Sequence, residues 1–480
     1  MPETATRPSA SVEPGIWDAA HATLVDTLRD LIRIPSVNPP SPDAPDAELR
    51  VARYLADRLE RIGLRPELVE PVPGRGSVHV RLRGDGTGGD PFLLLSHLDV
   101  VPAPPERWTH PPFAADLADG HVYGRGAVDM KGMVALELAV VERLVAEARA
   151  AGRDPARDPI PGLRRDVLFT CTADEEAGAL AGAHWVVDHR PDWLQAAGAV
   201  NECGGVSMTV GGRRLYPIQV AEKGLAPYRI HVTGTWGHGS MPRADNAAVL
   251  AAEIVGRLAA PGPIRVTPAM TRFLDAAAAA LPDDIGRVLR RLASDELDAA
   301  TADRLLRGLC DPTYGRALQA LLRDTLSPDI IQAGIKVNVI PGDAVIEVDC
   351  RVLPGTTEAD MRAEVERRIG PDLLAACTIQ LVLWGPPVEF PAEGPLWDIL
   401  VATLIDHDPE AVPLPVMAPI ATDAKATSLL GIPTYGFSPL RLDDDERFLD
   451  RFHGVDERVG LEALRFGLPV LYDVVRRFCG

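Results

Sequence analysis

The chain has 480 residues, too many for one ordinary hydrophobic core, so two domains are expected. Its 46% hydrophobic and 24% charged residues are normal for a globular protein, and its net charge of −19 argues against general nucleic-acid binding, which needs a basic face. No apolar stretch is long enough for a transmembrane helix, Met1 to Pro14 lacks the apolar core of a signal peptide, and six scattered cysteines without a CxxC pair read as reduced thiols, so a cytoplasmic protein with no membrane partner is expected.

Ile16, Ala20, Leu24, Leu28 and Leu31 recur at helical spacing over residues 15–34. A Pro-rich loop, Pro35 to Pro45, leads to a second amphipathic helix marked by Val51, Leu55, Leu59 and Ile62 and stopped by Gly63. Val78, Val80 and Leu82 alternate like a strand, and residues 92–95 read as a buried strand. Met133, Leu136, Val140 and Leu144 mark a helix, residues 151–165 a polar loop, and residues 167–171 another strand. This alternation predicts a layered α/β domain. The character changes after Gly211-Gly212. A strand at 228–232, a helix at 244–258, an Ala/Leu/Arg-rich helical stretch at 269–325, a strand at 345–352, a helix N-capped by Thr357 and a strand at 378–383 follow. That β-α-β-β-α-β-like order predicts an inserted α+β domain over 214–390, with a helical insertion at about 262–330. The first domain resumes over 391–480, with a helix through Leu396 and Leu404, a strand at 434–437 and a closing helix from Leu461 to Phe478; its first part is 1–213.

Several apolar runs end in metal-binding residue types. Phe92 to Leu95 leads into Ser96-His97-Leu98-Asp99, Val167 to Phe169 into Asp174-Glu175-Glu176, and Ala199-Val200 into Asn201-Glu202. Buried strands with such endings place them at the carboxyl edge of a sheet, where α/β proteins bind ligands. His97 and Asp99 are either a metal ligand with a carboxylate orienting its ring, or a surface histidine beside a capping aspartate. Asp129, after Gly124-Arg125-Gly126, is either an N-cap or a carboxylate bridging two cations about 3.5–4 Å apart. Glu175 and Glu176 are adjacent, so one can bind metal while the other faces substrate as a base; the alternative is a solvated acidic helix start. Gly204 and Gly205 after Glu202 permit close backbone approach. The set otherwise lacks a second nitrogen donor, which His453 would supply; the alternative is a loop histidine with no part in the site.

Together these segments, with Gly237-His238-Gly239-Ser240, Lys336 to Gly342 and the His453 loop, resemble a zinc metallopeptidase/amidohydrolase family. Its members include carboxypeptidase G, carboxypeptidase S, aminoacylase, acetylornithine deacetylase and succinyl-diaminopimelate desuccinylase. The resemblance implies a mixed-sheet, three-layer catalytic domain of zinc-peptidase type with an inserted ferredoxin-like lid or dimerisation domain. It implies two zinc ions (cobalt or manganese in their place) bridged by Asp129, one also taking His97 and Glu202, the other Glu176 and His453. Glu175 would act as general base on a metal-bridging water, Asp99 would orient His97, and the Asp129–Met130 peptide would be cis, as it often is in members. His238 would reach the partner subunit's site in a homodimer, and Asn338 and Arg351 would contact substrate. The implied reaction is cleavage of the amide bond of a peptide, carboxypeptidase- or dipeptidase-fashion, or of an N-acyl amino acid. The alternatives are a biosynthetic deacylase or desuccinylase, or a non-catalytic dimeric binding protein. Two departures bear on substrate: Ala421 replaces the glycine that often precedes the family's Thr-Asp segment, here Thr422-Asp423, and the lid is enlarged by residues 262–330.

Overall fold

A computed structural model describes residues 14–40, 44–293, 298–309, 312–444, 446 and 448–480. The N-terminal stretch read as lacking a signal peptide, part of the Pro-rich loop and Cys310 lie wholly or largely outside these residues. The chain divides into two compact units, one of Met1–Gln219, Phe390–Pro413 and Thr422–Gly480, the other of Val220–Glu389 and Leu414–Ala421.

In the first unit a mixed sheet runs in the order Glu67–Val72, Arg75–Leu82, Val167–Thr172, Phe92–His97, Gly198–Asn201, Thr434–Gly436, Arg213–Glu222. Its four middle strands, from Val167–Thr172 to Thr434–Gly436, are mutually parallel. Buried on both faces, such strands read as continuous apolar runs. Leu93 and Leu95 point to one face and pack with Leu168, Val186, Trp193 and Leu194. Phe92 points to the other, its ring 5.2 Å from that of Phe478. The Ala183–His189 helix therefore covers one face, and the mutually packed Pro14–Ile32, Lys131–Ala150 and Leu461–Cys479 helices cover the other. Full burial of each such Leu or Phe contributes about 1.5–3 kcal/mol. Lys131 is fully buried and donates to the carbonyls of Leu31 and Ile34 at 3.0 and 2.7 Å, so it closes the end of the first helix. Burial pushes its pKa down to about 7.

A small sheet joins distant segments of the same unit. Arg458–Gly460 pairs with His121–Tyr123, which pairs with Asp116–Ala118. This brings the His453 loop beside the loop that carries Asp129.

The second unit holds an antiparallel sheet ordered Thr325–Ala333, Asp343–Val352, Tyr228–Thr233, Cys377–Leu381. Ala247–Leu258 and Glu358–Ile369 supply Ile254, Leu258, Met361, Val365 and Ile369 to its core. The element order is β-α-β-β-α-β, ferredoxin-like as expected. Thr357 caps its helix as read, in a reciprocal box with Asp360. The inserted helices are Pro268–Ala280, Asp283–Leu292, Ala299–Leu309 and Pro312–Leu321. The helical reading to 325, and the insertion to 330, need correction: Thr325–Ala333 is a strand, because its backbone bonds along Asp343–Val352 override its local pattern. Among the described residues no helix is long and apolar enough to cross a membrane, and Cys171, Cys203, Cys350, Cys377 and Cys479 are free thiols.

Candidate metal centre

The carboxyl ends of the parallel strands converge as their sequence endings predict. His97 closes one strand, Glu202 follows Asn201 at the end of another, and the Glu175–Ala177 turn follows Val167–Thr172. Asp129 enters from the glycine-containing loop, through a cis Asp129–Met130 peptide. Gly204 is required by close approach: a Cβ there would sit 2.1 Å from the Gly436 carbonyl oxygen. His453 comes from the far end of the chain.

His97 Nε2 lies 3.1 Å from Asp129 Oδ1 and 3.6 Å from Glu202 Oε1. His453 Nε2 lies 3.2 Å from Asp129 Oδ2 and 3.3 Å from Glu176 Oε2. Asp129 thus turns one oxygen to each imidazole, as a bridging carboxylate does. Ligand-type atoms of His97, Asp129 and Glu176 lie within 4.8 Å of one another, and so do those of His97, Glu175 and Glu202. Glu175 is therefore close enough to His97 and Glu202 to ligate as well as to act as a base.

The charge balance is lopsided. Burial and the nearby charge of Asp129 push Glu202 up to about 8. Burial and the charge of Glu202 push Glu175 well above the usual carboxylate range. Hydrogen bonds to Asp129 and Glu176 pull His453 up to about 10. Among the described residues, buried Glu176 Oε1 has no hydrogen-bond partner. The cluster holds more carboxylate oxygens than it has N–H groups to satisfy them, and it draws positive charge onto its imidazoles. Imidazole nitrogen with carboxylate oxygen is a donor set suited to zinc, cobalt or manganese.

Asp99 differs in detail from the expectation. His97 Nδ1 meets the Asp99 backbone carbonyl at 3.1 Å, and the carboxylate only at 3.4 Å. The carboxylate instead accepts from the amides of Glu175 and Glu176, at 3.1 and 3.0 Å, and from Asn38 Nδ2 at 2.7 Å. Asn38 Oδ1 accepts from Arg75 at 2.8 Å, and Arg75 is ion-paired with buried Glu48. Sequence reading missed Asn38, Arg75 and Glu48. Glu48 could have been found only as a carboxylate on the buried face of a helix; Asn38 lies in the Pro-rich loop and Arg75 at the start of a strand, and neither carries a local signal.

His238, Asn338 and Arg351 lie in the second unit. Gly237–His238 pairs with Val339–Ile340, and the Gly239 amide donates to Asn338 O at 2.9 Å, so the first two are neighbours. His238 Nδ1 bonds Ser240 Oγ at 2.7 Å. Arg351 stands apart on the Asp343–Val352 strand, its Nε 2.8 Å from Asp349 Oδ1.

Comparisons with known proteins agree with this architecture. The family described as Peptidase family M20/M25/M40 matches residues 93–477. A probable carboxypeptidase S-like protein from Dictyostelium discoideum is 28% identical over 412 residues, spanning 80% of this chain and 71% of that protein. The N-fatty-acyl-amino acid synthase/hydrolase PM20D1 of Xenopus tropicalis is 28% identical over 458 residues, spanning 92% and 83%. The crystal structure of an M20 family metallo-carboxypeptidase from Sulfolobus solfataricus superposes with a TM-score of 0.68 at 17% identity, covering 95% of this chain and 99% of that one, a likeness of fold. With a family match that runs through every segment of the cluster, the chain belongs to Peptidase family M20/M25/M40 and is a hydrolase acting on C–N bonds.

Proposed function

We propose that the protein is a dinuclear zinc hydrolase that cleaves the amide bond of a peptide or an N-acyl amino acid. His97, Asp129 and Glu202 hold one ion, and Asp129, Glu176 and His453 the other; cobalt or manganese suit the same donors. The observation that carries this reading is Asp129, with one oxygen toward each imidazole, beside a buried Glu176 oxygen that none of the described residues satisfies. When bound, two such ions lower the pKa of the attacking water and polarise the scissile carbonyl.

The chain's own residues supply the rest. Glu175 takes the proton from water and returns it to the leaving amine. Asp99 fixes both the His97 segment and the Glu175–Glu176 turn. His238 of the partner subunit donates to the tetrahedral oxyanion. Asn338 positions substrate, and Arg351 anchors its carboxylate. The enzyme works as a cytoplasmic homodimer joined through the second unit.

Similarity to relatives named for carboxypeptidase and for N-acyl-amino acid hydrolysis supports both substrate types. A panel of dipeptides and N-acyl amino acids, assayed with metal restored, decides between them. Turnover of dipeptides with a free carboxylate supports the peptidase. Turnover confined to N-acyl amino acids assigns a deacylase, and no hydrolysis of either class contradicts the proposal.

A further inference from the structure

Two charged residues of the motifs have no part in the chemistry above. Arg125 and Glu457 are an ion pair, Nη1 to Oε2 at 2.6 Å, with side chains 3% and 0% exposed. The small sheet brings them together, and the Gly124 amide donates to the Glu457 carbonyl at 2.9 Å. Each partner also grips backbone at a candidate metal ligand. Glu457 Oε1 accepts from the amides of Val128 and Asp129 at 2.8 and 3.1 Å. Arg125 Nη2 donates to the His453 carbonyl at 3.3 Å and reaches the Pro102 carbonyl at 3.5 Å. The guanidinium is steadied by Trp108, whose ring centroid is 5.2 Å away.

A buried ion pair adds little stability over apolar side chains that would fill the same space. Its other contacts therefore matter more than its energy. They also fall unevenly on the two metal positions. His97 and Glu202 are held by strand ends and are buried. His453 has a side chain 54% exposed, on a loop where its own φ is +54°, a conformation other than glycine rarely adopts. The His453 position needs a hold that the sheet does not provide.

We propose that the Arg125–Glu457 pair is a positioning clamp that sets Asp129 against His453, so that the metal position formed by Asp129, Glu176 and His453 depends on it. This rests on the two-metal reading. Both members act through backbone, and neither is a ligand. Residues that orient metal ligands typically alter affinity by about 10- to 100-fold when changed.

The test is a cobalt titration of the metal-free full-length protein, followed by visible absorption and by metal analysis, for the parent, Arg125→Lys, Glu457→Gln and Glu446→Gln. Glu446 holds the same loop from outside, through Arg451 and Arg458 at 2.9 and 3.3 Å, and touches neither Asp129 nor His453 in these bonds. Near-ultraviolet circular dichroism and urea unfolding report folding of each metal-free variant. The parent and Glu446→Gln are expected to bind two equivalents. Arg125→Lys and Glu457→Gln should bind the first as the parent does and the second about 10- to 100-fold more weakly. Parent-like binding of the second equivalent, equal weakening of both, an equal loss in Glu446→Gln, or failure of both clamp variants to fold each overturns the clamp. Fewer than two equivalents in the parent overturns the two-metal reading and the clamp with it.

Discussion

Asp99 is fully buried and serves three donors from two segments of the chain. Burial by itself would raise its pKa, but His97, Asn38 and the Glu176 amide outweigh that and hold it below the usual carboxylate range. An asparagine at 99 keeps one acceptor oxygen and turns an N–H group toward donors. Asp99→Asn should therefore lower kcat/KM about 10- to 100-fold with metal restored. Parent-like kinetics in that variant would show that the Glu175–Glu176 turn holds its shape without the carboxylate. His97, Glu176 and Glu202 were legible in the sequence because each follows an apolar run, and Asp129 because it follows a glycine-containing loop, whereas His453 entered only because the set lacked a second nitrogen donor. Asn38 and Arg75 were not legible, because their partners lie 61 and 37 residues away, respectively, and no local pattern marks them.

Among the elements, the join between the Arg213–Glu222 strand and the end of the Pro395–His407 helix has its own test. Asp408 accepts from Arg214 and from the Tyr216 hydroxyl at 2.7 and 2.8 Å. Burial raises its pKa, but these two bonds outweigh burial and leave it depressed. A depressed carboxylate contributes stability above its unfolded pKa and loses it as pH falls through the folded value. Asp408→Asn should thus cost about 2 kcal/mol in urea unfolding at pH 7, and the gap should narrow below about pH 4. A gap that does not change with pH would remove the carboxylate from the account. The elements themselves were unequally legible. Buried parallel strands such as Phe92–His97 show as apolar runs, and Thr357 as a cap. Ala411–Ala418 carries Pro413 and Pro415, which hide a strand. Thr325–Ala333 has neither alternation nor a run in its burial, and only pairing with Asp343–Val352 reveals it.

At the scale of the whole molecule, the reading depends on a second copy of the chain. His238 and Asn338 form one paired unit in the second domain, and the proposed metal ligands all lie in the first. Subunits that exchange and lend His238 across a two-fold axis allow complementation. Equal amounts of inactive Glu175→Gln and His238→Ala proteins, mixed and allowed to exchange, should recover about a quarter of parental activity, since half the dimers are mixed and each has one intact site. No recovery, with exchange verified by mass, would place His238 in its own chain's site or in none.

The most direct measurement separates metal from base at the same centre. Metal-free Glu175→Gln and parent protein are each titrated with zinc and assayed for amide hydrolysis. Two equivalents bound by both, with turnover about 10²- to 10⁴-fold lower in Glu175→Gln, is the predicted result. Loss of one equivalent in Glu175→Gln would make Glu175 a ligand, and retained turnover with both equivalents bound would contradict its role as the base.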